Sequence, residues 1–147
     1  MNWELEFQRC LDKHWLVRMP EARSLSSREL DVAGDDLTEA QAAYERRSYK
    51  WSTIQAYYAM FHAARALLYS QGYREKSHRC LSVAMRHLFV AKGILEAVLI
   101  DGLDDVRALR EDADYRTEFS PIGAEHSVNV ARQLVDRAGE LLAKERP

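Results

Sequence analysis

A long apolar segment in the middle of the chain limits the folds that this sequence can adopt. Over residues 56–68 apolar side chains occupy nearly every face of a helix, interrupted only by His62 and Arg65. A helix of this kind must be covered on all sides, either by other helices or by an interface. Gly72 follows at the position of a C-terminal cap. The sequence therefore predicts a central, buried helix over about residues 50–71.

Two helical patterns precede the central helix. Residues 3–17 form a short amphipathic segment, and Pro20 ends it because proline cannot continue the ladder of backbone hydrogen bonds. Ser26 and Glu29 have the spacing of a capping box, in which each side chain bonds to the backbone N–H of the other. We expect a helix with one apolar face to begin there.

Three helical patterns follow the central helix. Ser77 can cap the next helix, and a further helix covers about residues 95–115. Ser120 and Pro121 form an N-cap and N1 pair that opens the last helix. The connections are short and strand-like alternation is absent. We therefore predict one domain over residues 1–147, an all-α, up-and-down four-helix bundle with a short extra N-terminal helix.

Charge and cysteine content exclude several classes of protein. With 21 basic and 23 acidic residues the formal net charge is −2, so an anionic partner would need a local basic patch. Cys10 and Cys80 lack the spacing of a metal motif, and two cysteines do not indicate a disulfide framework. The first residues are acidic, whereas a signal peptide would begin with positive charge. No apolar run reaches the roughly 18 residues of a membrane span. We expect a cytoplasmic protein that does not contact a membrane.

Arg110 is the first candidate for a functional role. On the helical period it lies on an apolar stripe, one turn after Val106. An arginine in that position is costly unless it is paired or binds an anion. Asp114, one turn further, is the alternative partner. The sequence leaves both explanations of Arg110 open.

The basic segment after the central helix is the second candidate. It lies just before a predicted helix start, where free backbone N–H groups attract anions. We predict that its ligand-binding residues are Arg74, Lys76, His78 and Arg79. A solvated turn would explain the same residues. His62 and Arg65 are expected to be hydrogen-bonded structural residues. The histidines lack zinc-ligand spacing and no phosphate loop is present, so no metal or other cofactor is predicted.

In this order of segments the chain resembles the HEPN superfamily of small helical prokaryotic proteins. Residues 10–13 and 18–20 resemble the leader of one branch, and residues 57–68 resemble its central helix. Residues 72–81 resemble the turn that follows, and residues 109–115 lie where the family carries its functional arginine. The resemblance implies a toxin or defence component, encoded beside a minimal nucleotidyltransferase. It also implies that active members are metal-independent ribonucleases that work as dimers.

The chain departs from that family at one position. Active HEPN ribonucleases carry an arginine, then four to six residues, then a histidine, whereas here Arg110 is followed after four residues by Tyr115. The string from Arg9 to His14 matches the spacing, but it lies in the leader and is interpreted as coincidence. By resemblance, Arg110 and Tyr115 are the candidate catalytic residues. Because a phenol is a poor base at neutral pH, ribonuclease activity is in question.

Three functional hypotheses follow from the resemblance. The first is a toxin or defence component that binds nucleotide or RNA, with or without metal-independent ribonuclease activity, and pairs with a nucleotidyltransferase. The second is a catalytically inactive nucleotide-binding or adaptor subunit of that enzyme, and the third is a purely structural dimer. In each case we predict a homodimer, since the apolar faces of so small a bundle need covering.

Overall fold

The computed structural model describes residues 1–115 and 119–145, without the side chains of residues 112–115. Six α-helices contain most of the described residues, which confirms the all-α prediction. One small two-stranded sheet is also present among them. None of the described helices is both long enough and apolar enough to cross a membrane. The helices are α1 (Trp3–Asp12), α2 (Ser26–Glu45), α3 (Tyr49–Ser70), α4 (His78–Met85), α5 (Ala97–Tyr115) and α6 (Pro121–Glu145). The strands are β1 (Leu16–Arg18) and β2 (Tyr73–Glu75); a 3₁₀ turn covers Pro20–Leu25 and a π turn covers Arg86–Val90.

Helix α3 is the centre of the bundle. It packs against α2, α5 and α6, and most of its residues are buried. Alanines 56, 59, 63, 64 and 66 are fully buried, which lets the neighbouring helices approach its backbone closely. The apolar circumference of α3 is thus covered by helices of the same chain. The homodimer stays a prediction, but the apolar surface of α3 no longer argues for it.

Local capping signals were correct at three helix ends. Gly72 adopts a φ of +77°, the left-handed conformation expected just after α3. The Ser77 hydroxyl accepts a hydrogen bond from the Cys80 N–H at the start of α4. The Ser120 hydroxyl accepts one from the Gly123 N–H at the start of α6. These interactions span at most three residues, so the local sequence was sufficient to predict them.

The predicted capping box at Ser26 and Glu29 is wrong. Helix α2 already includes Ser26, whose buried hydroxyl donates to the Ala66 carbonyl of α3 at 2.7 Å. The Glu29 carboxylate is instead 2.6 Å from Nδ1 of His62, also on α3. Because the first turn of α2 is packed against α3, these side chains bond to the neighbouring helix and do not cap their own.

The predicted helical segment 3–17 and the absence of strands also need correction. Helix α1 ends at Asp12, and His14 has a φ of 58°. The chain then enters β1, which pairs antiparallel with β2 so that Leu16 lies opposite Glu75. Three-residue strands are too short to show alternation in the sequence. The partners for their backbone hydrogen bonds are supplied only when the N-terminal leader, residues 1–18, lies beside residues 73–75.

The two cysteines form a disulfide bond, contrary to the expectation from the sequence. Cys10 in α1 and Cys80 in α4 are bonded, with their Cα atoms 5.9 Å apart. They are 70 positions apart in sequence, so their pairing had no local signal. The disulfide and the β1–β2 pairing both fasten the leader to the segment on either side of His78.

Candidate functional site

Arg110 is the first side chain of the candidate site. Val106 is fully buried, and one turn later the same stripe of α5 brings the half-buried Arg110 against α3. Its guanidinium carbon lies 5.7 Å from the Tyr57 ring centre and 5.5 Å from that of Tyr58. Nη2 donates to the Tyr58 hydroxyl at 3.1 Å. The alternative partner, Asp114, has its side chain outside the described part of the structure.

His78 is the second side chain, and Tyr57 connects it to Arg110. His78 is the first residue of α4, and its Nδ1 is hydrogen-bonded to the Tyr57 hydroxyl. Its ring packs on Phe61 and Tyr57, with ring centres 5.0 and 5.8 Å apart. The Tyr57 hydroxyl therefore bonds to His78, and the Tyr57 ring lies beneath the guanidinium of Arg110.

Burial keeps both members of this hydrogen bond uncharged at neutral pH. Burial raises the pKa of Tyr57 to about 12, although the positive charges of Arg107 and Arg110 oppose the shift. Burial also lowers the pKa of His78, and Arg107 and Arg110 lower it further, while Glu75 opposes them. At pH 7 the site thus consists of a neutral phenol and a neutral imidazole beside two guanidinium groups.

This arrangement has the properties of a site for a phosphate or another anion. Arg110 offers a planar guanidinium, and the backbone N–H groups at the start of α4 add partial positive charge next to His78. Arg107 is partly exposed, and its Nε lies 3.4 Å from the Glu111 carboxylate, which moderates its charge. The aromatic rings of Tyr57 and Tyr58 form the base of the site.

Comparison with known proteins identifies the family. The sequence model of the HEPN domain family matches residues 27–145. This chain belongs to the HEPN domain family. It is 30% identical over 114 residues to a protein of Methanocaldococcus jannaschii named "Putative toxin MJ0605", an alignment that covers 77% of this chain and 85% of that protein. The HEPN match includes His78 and Arg110, whereas α1, β1 and Cys10 precede it.

The basic segment of this HEPN protein does not act as one cluster. His78 is hydrogen-bonded to Tyr57, whereas Arg79 binds the Glu6 carboxylate of α1 at 2.8 Å and lowers the pKa of Glu6. Arg74 lies in β2, and the exposed Lys76 donates its backbone N–H to the Trp15 carbonyl. The structure brings only His78 of these four predicted residues to Arg110. Ligand binding by Arg74, Lys76 and Arg79 stays a prediction.

His62 and Arg65 are hydrogen-bonded structural residues, as predicted. His62 bonds to Glu29 of α2, and Arg65 donates to both carboxylate oxygens of Glu75, at 2.7 and 2.9 Å. The Glu75 residue is 5% exposed and lies three positions before His78. This ion pair therefore anchors β2 to α3 and holds the turn that presents His78.

Sequence reasoning missed Tyr57, Tyr58 and Arg107 as parts of the site. The hydroxyl groups were the available signal, since a phenol inside an apolar helix needs a hydrogen-bond partner. The other catalytic candidate, Tyr115, has its side chain outside the described residues. Among the residues that are described, no group of three or more histidine, cysteine, aspartate or glutamate side chains could hold a metal ion.

Proposed function

We propose that this HEPN protein is the toxin-like component of a two-gene system and binds a nucleotide or RNA through phosphate at Arg110 and His78. The observation that carries the proposal is the position of Arg110, over two tyrosine rings and beside a neutral histidine. The name of the Methanocaldococcus jannaschii relative supports the toxin-like assignment.

The charges of the site favour a phosphate group over a neutral ligand. Arg107 and Arg110 are both close enough to His78 to lower its pKa, so their positive charges converge on this part of the surface. A phosphate would accept charge-assisted hydrogen bonds from a guanidinium, each contributing about 1.5–3 kcal/mol. Partial burial of Arg110 limits the screening of that interaction by solvent.

Binding is better supported than RNA cleavage. Metal-independent cleavage needs a group that accepts the proton of the attacking 2′-hydroxyl. The family's motif histidine is replaced here by Tyr115, and a phenol is a poor general base at neutral pH. A catalytically inactive, nucleotide-binding subunit of a partner nucleotidyltransferase is therefore the second candidate. Co-purification with the product of the adjacent gene tests that partnership, and a chain that always purifies alone would argue against it.

Titration with a fluorescein-labelled oligouridine and, separately, with ATP tests ligand binding. Arg110→Ala should lower affinity roughly tenfold or more, because it removes a charge-assisted bond. Arg132→Ala is the matched control, since it removes the same charge from an exposed position on α6. Equal affinities of the Arg110 and Arg132 variants, or failure of the wild type to bind either probe, would refute the proposal. Circular dichroism checks that both variants fold.

A further inference from the structure

The hydrogen bond between Tyr57 and His78 determines which nitrogen of the imidazole carries the proton. Tyr57 is 1% exposed, so its hydroxyl has lost contact with water and needs an acceptor inside the protein. Among the described residues, Nδ1 of His78 is the ring nitrogen that this hydroxyl contacts, and it accepts the bond when it carries no proton. Since the pKa of Tyr57 is about 12, the phenol retains its proton at neutral pH and can donate it.

A neutral imidazole has one protonated and one unprotonated nitrogen. When Nδ1 accepts the bond from Tyr57, the proton must be on Nε2. Burial, and then the charge of Arg107, lower the pKa of His78, which keeps the ring neutral at pH 7. His78 is thus held in the Nε2–H form before any ligand arrives.

The surroundings of His78 leave Nε2 for a ligand. No hydrogen bond to Nε2 is formed by any side chain within residues 1–111 or 119–145. The groups that face or electrostatically influence the ring come from three elements: Tyr57, Phe61 and Arg65 of α3, Glu75 of β2, and Arg107 and Arg110 of α5. The ring is half-buried, so Nε2–H combines partial desolvation with access.

We propose that His78 donates a hydrogen bond from Nε2–H to the phosphate that Arg110 binds, and that Tyr57 is the positioning residue that keeps the proton there. This inference rests on the proposed function and specifies how that site recognises its ligand. Arg110 supplies charge, and His78 supplies a neutral, directed donor. Two donors on separate helices, α4 and α5, would fix the orientation of the phosphate.

The same proton arrangement means that His78 does not serve as the base in RNA cleavage. In cleavage the bond from O2′ to phosphorus forms and the bond from phosphorus to O5′ breaks, while the 2′-hydroxyl proton passes to a base and the departing O5′ takes up a proton from an acid or from water. In His78 the Nδ1 lone pair is used by Tyr57 and Nε2 already carries a proton, so neither nitrogen can accept that proton. The inference therefore assigns His78 to phosphate binding and not to proton abstraction.

Two substitutions of His78 separate donation at Nε2 from other roles. The amide nitrogen of His78→Gln can reach the position of Nε2, whereas that of His78→Asn reaches only the position of Nδ1. With the labelled oligouridine we expect His78→Gln to bind within about threefold of the wild type and His78→Asn to lose roughly tenfold. Wild-type affinity should be constant between about pH 7 and pH 9, because the neutral ring is the donor. Equal losses in both variants would overturn the inference.

A spectroscopic measurement on the wild type keeps the inference testable if either variant fails to fold. Long-range ¹H–¹⁵N spectra of protein with labelled histidine should show His78 as the Nε2–H tautomer, and Tyr57→Phe should shift it toward a mixture. An Nδ1–H tautomer in the wild type would overturn the inference even if RNA binds. If the wild type binds neither oligouridine nor ATP, the proposed function fails, and the tautomer still decides the role of Tyr57.

Discussion

Breaking the disulfide between Cys10 and Cys80 should cost this protein a large part of its stability. The bond closes a loop of 70 positions, and chain entropy for such a loop gives about 15 cal/mol/K, or about 4 kcal/mol at 25 °C. The free energy of unfolding of a small domain is only about 5–15 kcal/mol, so a loss of this size is substantial. A dithiol reductant breaks the bond by thiol–disulfide exchange, which leaves two protein thiols and the oxidised, cyclic reductant.

Urea denaturation followed by circular dichroism measures this loss. With a slope of about 2 kcal/mol/M, the midpoint of the reduced protein should be lower by about 2 M. The double variant Cys10→Ser, Cys80→Ser should match the reduced wild type and should not respond to reductant. The prediction is refuted if oxidised and reduced wild type unfold at the same urea concentration, or if both thiols react with a thiol reagent before any reductant is added.

Two further stability predictions concern the ion pair behind His78 and the contact between α5 and α6. Glu75→Gln should destabilise the protein by about 3 kcal/mol, since it leaves Arg65 without its buried carboxylate; a urea midpoint equal to that of the wild type would contradict this. Gly102→Ala should cost about 1–3 kcal/mol, because its Cβ would lie 2.3 Å from Cγ1 of Val130. Gly34→Ala is the control, where the new Cβ meets nothing within 4 Å and thermal unfolding should show a gain of about 0.5–1 kcal/mol.

The leader illustrates how an element outside the HEPN match can influence the candidate site. Cys10 is bonded to Cys80, Glu6 binds Arg79, and β1 pairs with β2. These contacts hold both sides of His78, whereas Tyr57 is hydrogen-bonded to His78 and Arg110 to Tyr58. The leader is therefore expected to position the turn and to leave ligand contacts to the bundle.

Features that depend on neighbouring residues could be derived from the sequence alone. The spacing of apolar residues predicted α3 over about 50–71 against an observed Tyr49–Ser70, and Gly72 and Ser77 marked the adjoining ends. The apolar stripe through Val106 correctly indicated that Arg110 turns toward the bundle. In each case the determining interactions lie within about one helical turn, so local sequence contains the information.

Tertiary structure decided every feature whose partners are distant in sequence. Ser26 and Glu29 have the spacing of a cap, yet packing against α3 offered them Ala66 and His62 as partners. The Tyr57–His78 bond, the Arg110–Tyr58 bond and the disulfide join residues 21, 52 and 70 positions apart. Composition and spacing show which groups need partners, but only the packing of helices selects them, because a buried polar group bonds to whichever partner the fold brings within reach.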